Sequence, residues 1–233
     1  MAGRGRPRRF DRDAALRTAM RLFWEHGYEG TSLSMLTSAM GITPTSLYAA
    51  FGSKDALFRE AVAAYNAPEN SPTDRAMGRP TAREAVEEML RANADAYVDP
   101  GTPSGCMVVL SGINLSEGHE EVGRHLADLR GQDRAKVRAR IARGAEDGDL
   151  PAGIDADVLA DYALTLLHGL SVQARDGAGR ERVQAVIDAA MAGWDRMVGT
   201  FSARAAPAPP GRPGLRPGGG PSARSRGRSG SGS

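Results

Sequence analysis

Hydroxyl-bearing side chains cluster in one short segment of the chain, ITPTSLYAAF. Thr45 and Ser46 fall on one face of a predicted helix that Thr43 caps, while Leu47 and Phe51 point towards a core. Small hydroxyl side chains let a helix enter the major groove of duplex DNA and reach the base edges. The chemistry that this segment predicts is therefore non-covalent recognition of DNA.

Positive charge flanks this segment on both sides. Lys54 lies at the first turn of the next predicted helix, where its ammonium group and the helix N-terminus can hold a phosphate. Residues 1–10, MAGRGRPRRF, have little apolar material for a core and are predicted to form a flexible basic arm. Such an arm binds along the DNA backbone or in the adjacent minor groove. The arginines expected to do so are Arg4, Arg6, Arg8 and Arg9.

Four predicted helices position these side chains. Each begins at an Asp, Ser or Thr that can accept a hydrogen bond from the helix N-terminus, and three end at a glycine. Two short helices separated by Gly-Ile match the size of a helix-turn-helix. A four-helix bundle with no role at DNA is the alternative for residues 11–65. The expected capping residues are Asp11, Thr31 with Ser32, Thr43 and Ser53, and the expected end points are Gly27, Gly41 and Gly52.

A family resemblance favours the DNA-binding alternative. Residues 10–65, with the specific pieces LFWEHGYEGTSL and AMGITPTSLYAAFGSKDALF, strongly resemble the N-terminal domain of the TetR family of one-component regulators. The resemblance implies that the recognition helix starts near Thr43, and that the side chains at Tyr48 and Lys54 contact phosphates. Besides the arm, the residues expected to bind DNA are Thr31, Ser32, Thr43, Thr45, Ser46, Tyr48 and Lys54.

The rest of the chain predicts a second helical domain. Residues 67–80 contain three prolines and are interpreted as a linker between a DNA-binding domain, 11–66, and a domain over 81–203. Thr81 and Glu84 form a predicted capping box, and the apolar run 106–115 is predicted to be a buried helix. No period-two pattern is present, so the predicted fold is all-α, and the Pro/Gly-rich tail 204–233 is predicted to be disordered. The segments GCMVVLSG and DGDLPAGID resemble one branch of the family's C-terminal domain, which implies a ligand site.

A small-molecule pocket in this domain is expected to combine apolar walls with a few polar groups. Cys106 has two interpretations: it is a small core residue, or it is a thiol that senses electrophiles, as in some members of the family. His168 is interpreted as either a ligand contact or a core histidine. The candidate pocket residues are Met89, Asn93, Tyr97, Cys106, Met107, Ile113, Tyr162 and His168.

Two long apolar stripes near the C-terminus predict a homodimer in which each chain contributes two helices to a four-helix interface. The alternative is that both stripes only close the core of their own domain. The residues expected in the interface are Leu159, Leu166, Leu170, Ile187, Met191 and Trp194.

Charge and motif content narrow the class of function. The net charge of +2 divides into nine basic and six acidic residues over 1–66, fifteen and twenty-two over 67–203, and six arginines without an acid over 204–233. An acidic body with a basic end fits a protein that presents one end to a polyanion. No catalytic, metal or cofactor motif is recognised, and neither a membrane span nor a secretory signal is expected.

The sequence therefore predicts a cytoplasmic bacterial regulator, nucleoid-associated when bound. We expect a repressor released from an inverted-repeat operator in double-stranded DNA by an unknown small-molecule effector. The alternative is a small-molecule-binding or enzymatic helical domain whose basic end is incidental.

Overall fold

The computed structural model describes residues 10–205, and α-helices joined by turns and one 3-10 segment make up this part of the chain. The prediction of an all-α fold with an N-terminal helix-turn-helix is confirmed. The helices are α1 (Arg12–Gly30), α2 (Leu33–Met40), α3 (Pro44–Phe51), α4 (Lys54–Tyr65), α5 (Pro72–Ala76), α6 (Ala82–Tyr97), α7 (Met107–Leu110), α8 (Glu120–Asp147), α9 (Ala156–Arg175), α10 (Arg180–Ala192) and α11 (Trp194–Ala205).

Side-chain caps fix where the N-terminal helices begin. The oxygens of Asp11, Ser32, Thr43 and Ser53 each accept a hydrogen bond from a backbone N–H in the first turn of the helix that follows. Thr81 and Glu84 form the reciprocal capping box of α6. These helix starts agree with those read from the sequence because each depends on a residue and its near neighbours alone.

The segment predicted to be a linker, 67–80, is part of the packed structure. Its residues form a 3-10 turn over Pro68–Asn70 and the short helix α5, and Thr73 and Ala76 are buried. Prolines suit the first positions of both elements because a backbone N–H there has no intrahelical partner. The prolines therefore begin helical elements in this segment and do not break them. Helix α5 packs against α6.

The run 106–115 is not one buried helix, and only Met107–Leu110 is helical. The chain then turns, and Ile113 is 62% exposed. The turn places Gly112 against Leu126 of α8, where a Cβ atom would lie 2.4 Å from the Leu126 side chain. Close approach to α8, rather than hydrophobic periodicity, decides the conformation of this segment.

Two apolar cores hold the helices together, and one of them crosses the predicted domain boundary. Helices α1 to α4 share a buried cluster with Met107, Val108, Val122 and Leu126 of α7 and α8. The second core joins α6 and the C-terminal half of α8 to α9, α10 and α11. Helix α8 contributes to both cores, so the DNA-binding helices are packed directly on the C-terminal domain.

Candidate DNA interface and effector cavity

The N-terminus of α3 presents an exposed hydroxyl face. Thr45 and Ser46 are exposed, and the Thr43 hydroxyl accepts a hydrogen bond from the Ser46 backbone N–H at 3.2 Å. The Ser46 Oγ lies 3.0 Å from the Thr43 Oγ1. On the opposite face Leu47 and Phe51 are buried. Burial of this face fixes the rotation of the helix, so the side chains that can reach base edges face solvent.

Tyr48 lies beside this face with 44% of its surface exposed. Its ring therefore lies at the surface of α3 and not in the core. A phenolic hydroxyl at this position is available to an external acceptor such as a phosphate oxygen.

The chain enters the DNA-binding domain through an anchor that sequence reasoning missed. The Phe10 ring packs edge-on against Phe51, with centroids 6.4 Å apart, and the Arg12 guanidinium lies 4.5 Å from the same ring. Arg12 also donates to both carboxylate oxygens of Glu60 at 2.8 Å. Because Phe51 is the last residue of α3, this anchor places Phe10, the last residue of the predicted arm, next to α3. The arm arginines Arg4, Arg6, Arg8 and Arg9 lie outside the described residues.

Lys54 opens α4 and is partly covered by an aromatic ring. Its Nζ lies 4.2 Å from the centroid of Tyr28, a cation–π geometry. The Tyr28 hydroxyl donates to the carboxylate of Asp55, the residue after Lys54. Burial lowers the pKa of Lys54, and the nearby carboxylates of Glu29 and Asp55 act against that change. The ring therefore positions the ammonium group at the start of α4, where the sequence placed a phosphate contact.

Thr31 does not belong to the DNA-facing set. Its side chain is fully buried, and its hydroxyl donates to the carbonyl oxygens of Gly27 at 2.7 Å and Leu22 at 3.2 Å. The hydroxyl joins the end of α1 to the start of α2. Ser32, the next residue, is exposed and caps α2. A Thr-Ser pair before a helix does not reveal from sequence which hydroxyl is the cap and which one turns inward.

A cavity of about 270 Å³ lies where the DNA-binding helices meet the C-terminal domain. Its walls come from α1, α4, the 67–80 segment and helices α6 to α9. The lining combines apolar side chains with amide, hydroxyl and ionisable groups, a composition typical of small-molecule sites. The apolar lining includes Met20, Trp24, Val108, Val109, Leu164 and Leu167, and the polar lining includes Asn66, Thr73, Asn93, Tyr97, Cys106, Arg130, Asp133 and His168.

Burial controls the protonation of three groups around the cavity. It raises the pKa of Cys106, although the Tyr65 and Tyr97 hydroxyls and the backbone of α7 favour the thiolate. It also raises the pKa of both tyrosines. A raised thiol pKa favours the unreactive protonated form. This direction supports the interpretation of Cys106 as a lining residue rather than an activated thiolate.

The predicted pocket residues separate into two groups. Asn93, Tyr97, Cys106 and His168 line the cavity together. The other four lie elsewhere because packing or turn geometry takes them away. These are Met89 and Met107, which are fully buried in the two cores, and Ile113 and Tyr162, which are exposed on the turn after α7 and on α9.

Nothing in the sequence pattern indicated that α1 and α4 contribute to this cavity. Trp24 and Tyr65 pack edge-on with ring centroids 4.8 Å apart, and both line it. The Trp24 indole N–H donates to the Gly105 carbonyl oxygen at 2.8 Å, next to Cys106. A molecule in the cavity would therefore contact the DNA-binding helices directly.

A second set of hydrogen bonds ties α1 to the C-terminal domain. Arg175, at the end of α9, donates to the carbonyl oxygens of Trp24 and Glu25 at 2.7 Å and of Ser104 at 3.0 Å. The Tyr28 backbone N–H donates to the Ser111 carbonyl at 3.1 Å. The C-terminal end of α1 is thus held by α9 through Arg175 and by the turn after α7 through Ser111.

Five of the six predicted interface residues are buried within a single chain. The structure favours the alternative that these stripes close the domain's own core, since each chain already covers them. Leu166 is half-buried against the same core. The five are Leu159, Leu170, Ile187, Met191 and Trp194.

A different face of α9 is left exposed. Val158, Tyr162 and Val172 are exposed large apolar residues. With the exposed Thr165 and Gly169 between them, they follow a spacing of four and three residues along one side of the helix. This spacing is typical of a helix that packs against a neighbouring helix.

Two other kinds of feature, a metal site and a membrane-spanning helix, are absent from residues 10–205. Within residues 10–205 no group of His, Cys, Asp and Glu side chains is placed to hold a metal ion. None of the helices in that range is long and apolar enough to cross a membrane.

Comparison with protein families gives two matches, one after the other along the chain. Residues 15–61 match the family described as bacterial regulatory proteins, tetR family. Residues 82–195 match the C-terminal domain of BetI-type transcriptional repressors.

Individual relatives match over most of both chains. The HTH-type transcriptional repressor ComR of Escherichia coli K12 is 30% identical over 204 residues, covering 84% of this chain and 94% of ComR. The repressor BdcR of the same strain is 35% identical over 196 residues, covering 81% and 90%. A solved structure of a cysteine mutant of the TetR family regulator CifR, complexed with 26-bp operator DNA, is 47% identical with a TM-score of 0.77. The match covers 81% of this chain and all of that chain.

Proposed function

Because the chain belongs to the TetR family of transcriptional regulators, we propose that it is a repressor that a small molecule releases from an inverted-repeat operator. The predicted DNA-binding regulator, rather than an enzyme, is confirmed by relatives that are named as transcriptional regulators and repressors. The sign of regulation comes from the names of ComR and BdcR, both called repressors. Association with the bacterial nucleoid in the cytoplasm follows from operator binding.

The observation that carries the proposal is that one cavity is lined by both functional parts of the chain. Met20 and Trp24 belong to α1 of the DNA-binding domain, while Asn93 and His168 belong to helices of the C-terminal domain. A ligand that favours one relative position of these helices shifts the population of chains able to bind the operator. Because the ligand would touch both domains, ligand binding and DNA binding can be coupled without a long-range pathway through the protein.

The dimer that an inverted repeat requires is proposed to form through the exposed face of α9, containing Val158, Tyr162 and Val172. The family is dimeric, and a two-fold dimer presents one recognition helix to each half-site. Helix α10 carries exposed alanines at the same spacing of four and three residues, Ala185, Ala189 and Ala192. Small side chains of this kind permit close approach of a helix from a second copy.

A salt titration of operator binding tests the proposal. The probe is an inverted repeat to be identified by searching the DNA next to the gene. A scrambled duplex of equal length is the reference. We expect tight binding to the repeat that weakens steeply as salt increases. Equal and weak binding to both duplexes at moderate salt would favour the alternative of a binding or enzymatic domain with an incidental basic end.

Two substitutions separate phosphate contacts from base contacts in the same assay. Lys54→Met keeps an apolar stem against the Tyr28 ring but removes the charge, so affinity for both duplexes should fall and the salt slope should decrease by about one. Thr45→Ala should lower affinity for the repeat alone, by about 1–3 kcal/mol.

Both variants need thermal unfolding midpoints like that of the wild type, because a collapsed recognition helix would mimic either loss. Ala63→Ser, at an exposed site on α4, is the matched surface control. An unchanged salt slope for Lys54→Met would contradict the proposed docking, as would unchanged site preference for Thr45→Ala.

A further inference from the structure

The charge of the cavity lining restricts the kind of molecule that it accepts. The lining contains one basic side chain, Arg130, and one carboxylate, Asp133, which lie one helical turn apart on α8. The remaining polar lining consists of amides, hydroxyls, a thiol and one imidazole. The lining therefore carries no net charge when the imidazole is neutral.

Each of the two charged groups already makes a hydrogen bond inside the protein, Arg130 to a backbone carbonyl and Asp133 to an ammonium group. Arg130 donates from Nη1 to the Val108 carbonyl oxygen at 3.0 Å. Asp133 accepts from the Lys136 ammonium at 3.2 Å, and Lys136 lies 2.7 Å from Asp74. Arg130, Lys136, Asp133 and Asp74 together carry no net charge, so an ion entering the cavity would lose its hydration without meeting a net charge of opposite sign.

Burial favours the uncharged forms of the titratable lining groups; it also raises the pKa of Asp133, and the Lys136 ammonium acts against that change. Burial lowers the pKa of His168, and the positive charge of Arg130 lowers it further. Burial raises the pKa of Cys106 and Tyr97. Near neutral pH none of the three adds charge to the cavity.

A neighbouring groove between α8 and α9 shares Arg130, Leu164 and His168 with the cavity. Arg134 and Asp161 also line this shallow groove. The Arg134 guanidinium is paired with Asp161 and with Asp157 of α9. The Arg134 charge beside the cavity is therefore already matched by carboxylates.

Some polar groups of the cavity lining can still form hydrogen bonds with a ligand. Asn93, a lining residue, donates from Nδ2 to the Met89 carbonyl at 2.8 Å and to the Thr73 hydroxyl at 3.2 Å, so its side-chain carbonyl oxygen is the group left to accept a hydrogen bond. Tyr97 and His168 add further polar groups to the lining. A ligand hydroxyl or amide can bind here while its apolar end packs against Trp24 and Leu167.

We propose that the effector is an uncharged amphipathic molecule, with a hydrogen-bonding group at one end and an apolar body of aromatic or branched aliphatic character. The size follows from the 270 Å³ cavity, since a 150 Å³ apolar cavity holds benzene, which suggests about ten to twelve non-hydrogen atoms. This inference rests on the proposed function in taking the cavity as the effector site.

Three probes of one skeleton test the charge preference: 3-phenylpropan-1-ol, 3-phenylpropanoate and 3-phenylpropylammonium. Titration calorimetry at pH 7.5 with the full chain and no DNA measures each dissociation constant. We expect the alcohol to bind at least tenfold tighter than either ion. Equal or tighter binding of an ion, or no detectable binding of the alcohol, overturns the proposal.

Two substitutions should change this preference in opposite directions. Asp133→Asn leaves the Arg130 charge in excess, so binding of the carboxylate should improve at least tenfold while binding of the alcohol changes less than threefold. Arg130→Met leaves Asp133 in excess and should improve binding of the ammonium probe instead. If both variants keep the wild-type order of affinities, charge balance does not govern selection, and the proposal is wrong.

The location of binding is tested by filling the cavity. Leu164→Trp places a larger side chain in the lining and should weaken binding of the alcohol at least tenfold, whereas Ala139→Trp, at an exposed site on α8, should not. Unchanged binding to a folded Leu164→Trp variant would place the alcohol elsewhere and overturn the proposal. Because these titrations contain no DNA, failure of operator binding counts against the proposed function alone.

Discussion

At the scale of single residues, hydroxyl side chains that each precede a helix differ in role because of burial. Thr43 and Ser32 are exposed caps, while Thr31 is fully enclosed and bonded to two carbonyl oxygens of α1. The roles of hydroxyl residues near DNA therefore follow from their surroundings and not from their chemistry alone.

The buried role of Thr31 predicts a stability effect without a DNA effect. Thr31→Val keeps the shape but removes the hydroxyl, so the free energy of unfolding should fall by about 1–2 kcal/mol as two carbonyl acceptors lose a partner. Operator affinity per folded molecule should stay unchanged. Denaturant unfolding and duplex titration measure the two quantities, and loss of affinity at full stability would return Thr31 to the DNA interface.

His168 predicts a pH dependence of stability. Burial and Arg130 lower its pKa below the ordinary value of 6.5, so the unfolded chain binds this proton more readily than the folded chain. The stability associated with neutral His168 is present above pH 6.5 and is lost as the pH falls from 6.5 through the lowered folded pKa. His168→Gln should flatten that decline in thermal unfolding midpoint between pH 7.5 and 5.5.

The control for this pH series is Ala139→Ser, at an exposed site on α8 without a titrating group. It should retain the full decline seen in the wild type. If His168→Gln declines as steeply as the control, His168 does not cause the dependence.

At the scale of elements, a single glycine sets the shape of α1. Gly27 has φ of 73° and ψ of 176°, which interrupts the helical dihedral angles before Tyr28. This region of backbone conformation is almost restricted to glycine. The kink turns Tyr28 inward, where its ring contacts Lys54 and its backbone N–H bonds to Ser111.

Gly27→Ala should therefore be destabilising even though there is space for a Cβ atom. The nearest atom to that Cβ would be the Ser111 carbonyl oxygen at 3.7 Å, so backbone strain alone should cost about 1–3 kcal/mol. Gly30→Ala, three residues later and without a positive φ, is the matched control, with its Cβ in ordinary contact at 3.5 Å from His26. Equal unfolding free energies for the two variants would contradict the assigned strain.

At the scale of the whole molecule, the exposed face of α9 connects fold to assembly. The residues first expected in the interface are needed for the core, whereas Val158, Tyr162 and Val172 remain uncovered in one chain. An inverted-repeat operator requires two chains, and an uncovered apolar helix face offers the surface by which they can pair.

Tyr162→Glu should convert a dimer to a folded monomer, because the charge would be buried between two copies of α9. Sedimentation velocity measures the assembly state, and circular dichroism checks that the helices remain. Ala139→Glu, at an exposed site on α8, should stay dimeric, and Ile187→Glu should unfold because Ile187 is fully buried. A dimeric Tyr162→Glu variant would exclude this face.

The sequence by itself determined the all-α class, the helix-turn-helix and the N-terminal caps. Each depends on short-range features, namely a capping side chain, a glycine end point or a repeat of apolar residues every three or four positions. The family resemblance rests on the same short segment, 10–65, and the comparisons confirm it.

Only the tertiary structure decided which apolar stripes are covered, where the 67–80 segment packs and which side chains line the cavity. Ile187 and Tyr162 both lie in apolar stripes of the sequence, yet one is buried by neighbouring helices and the other is not. Likewise Met89 and Asn93 lie one helical turn apart on α6, and only Asn93 reaches the cavity. Periodicity gives the apolar face of a helix, but burial depends on the partners that long-range packing brings against it.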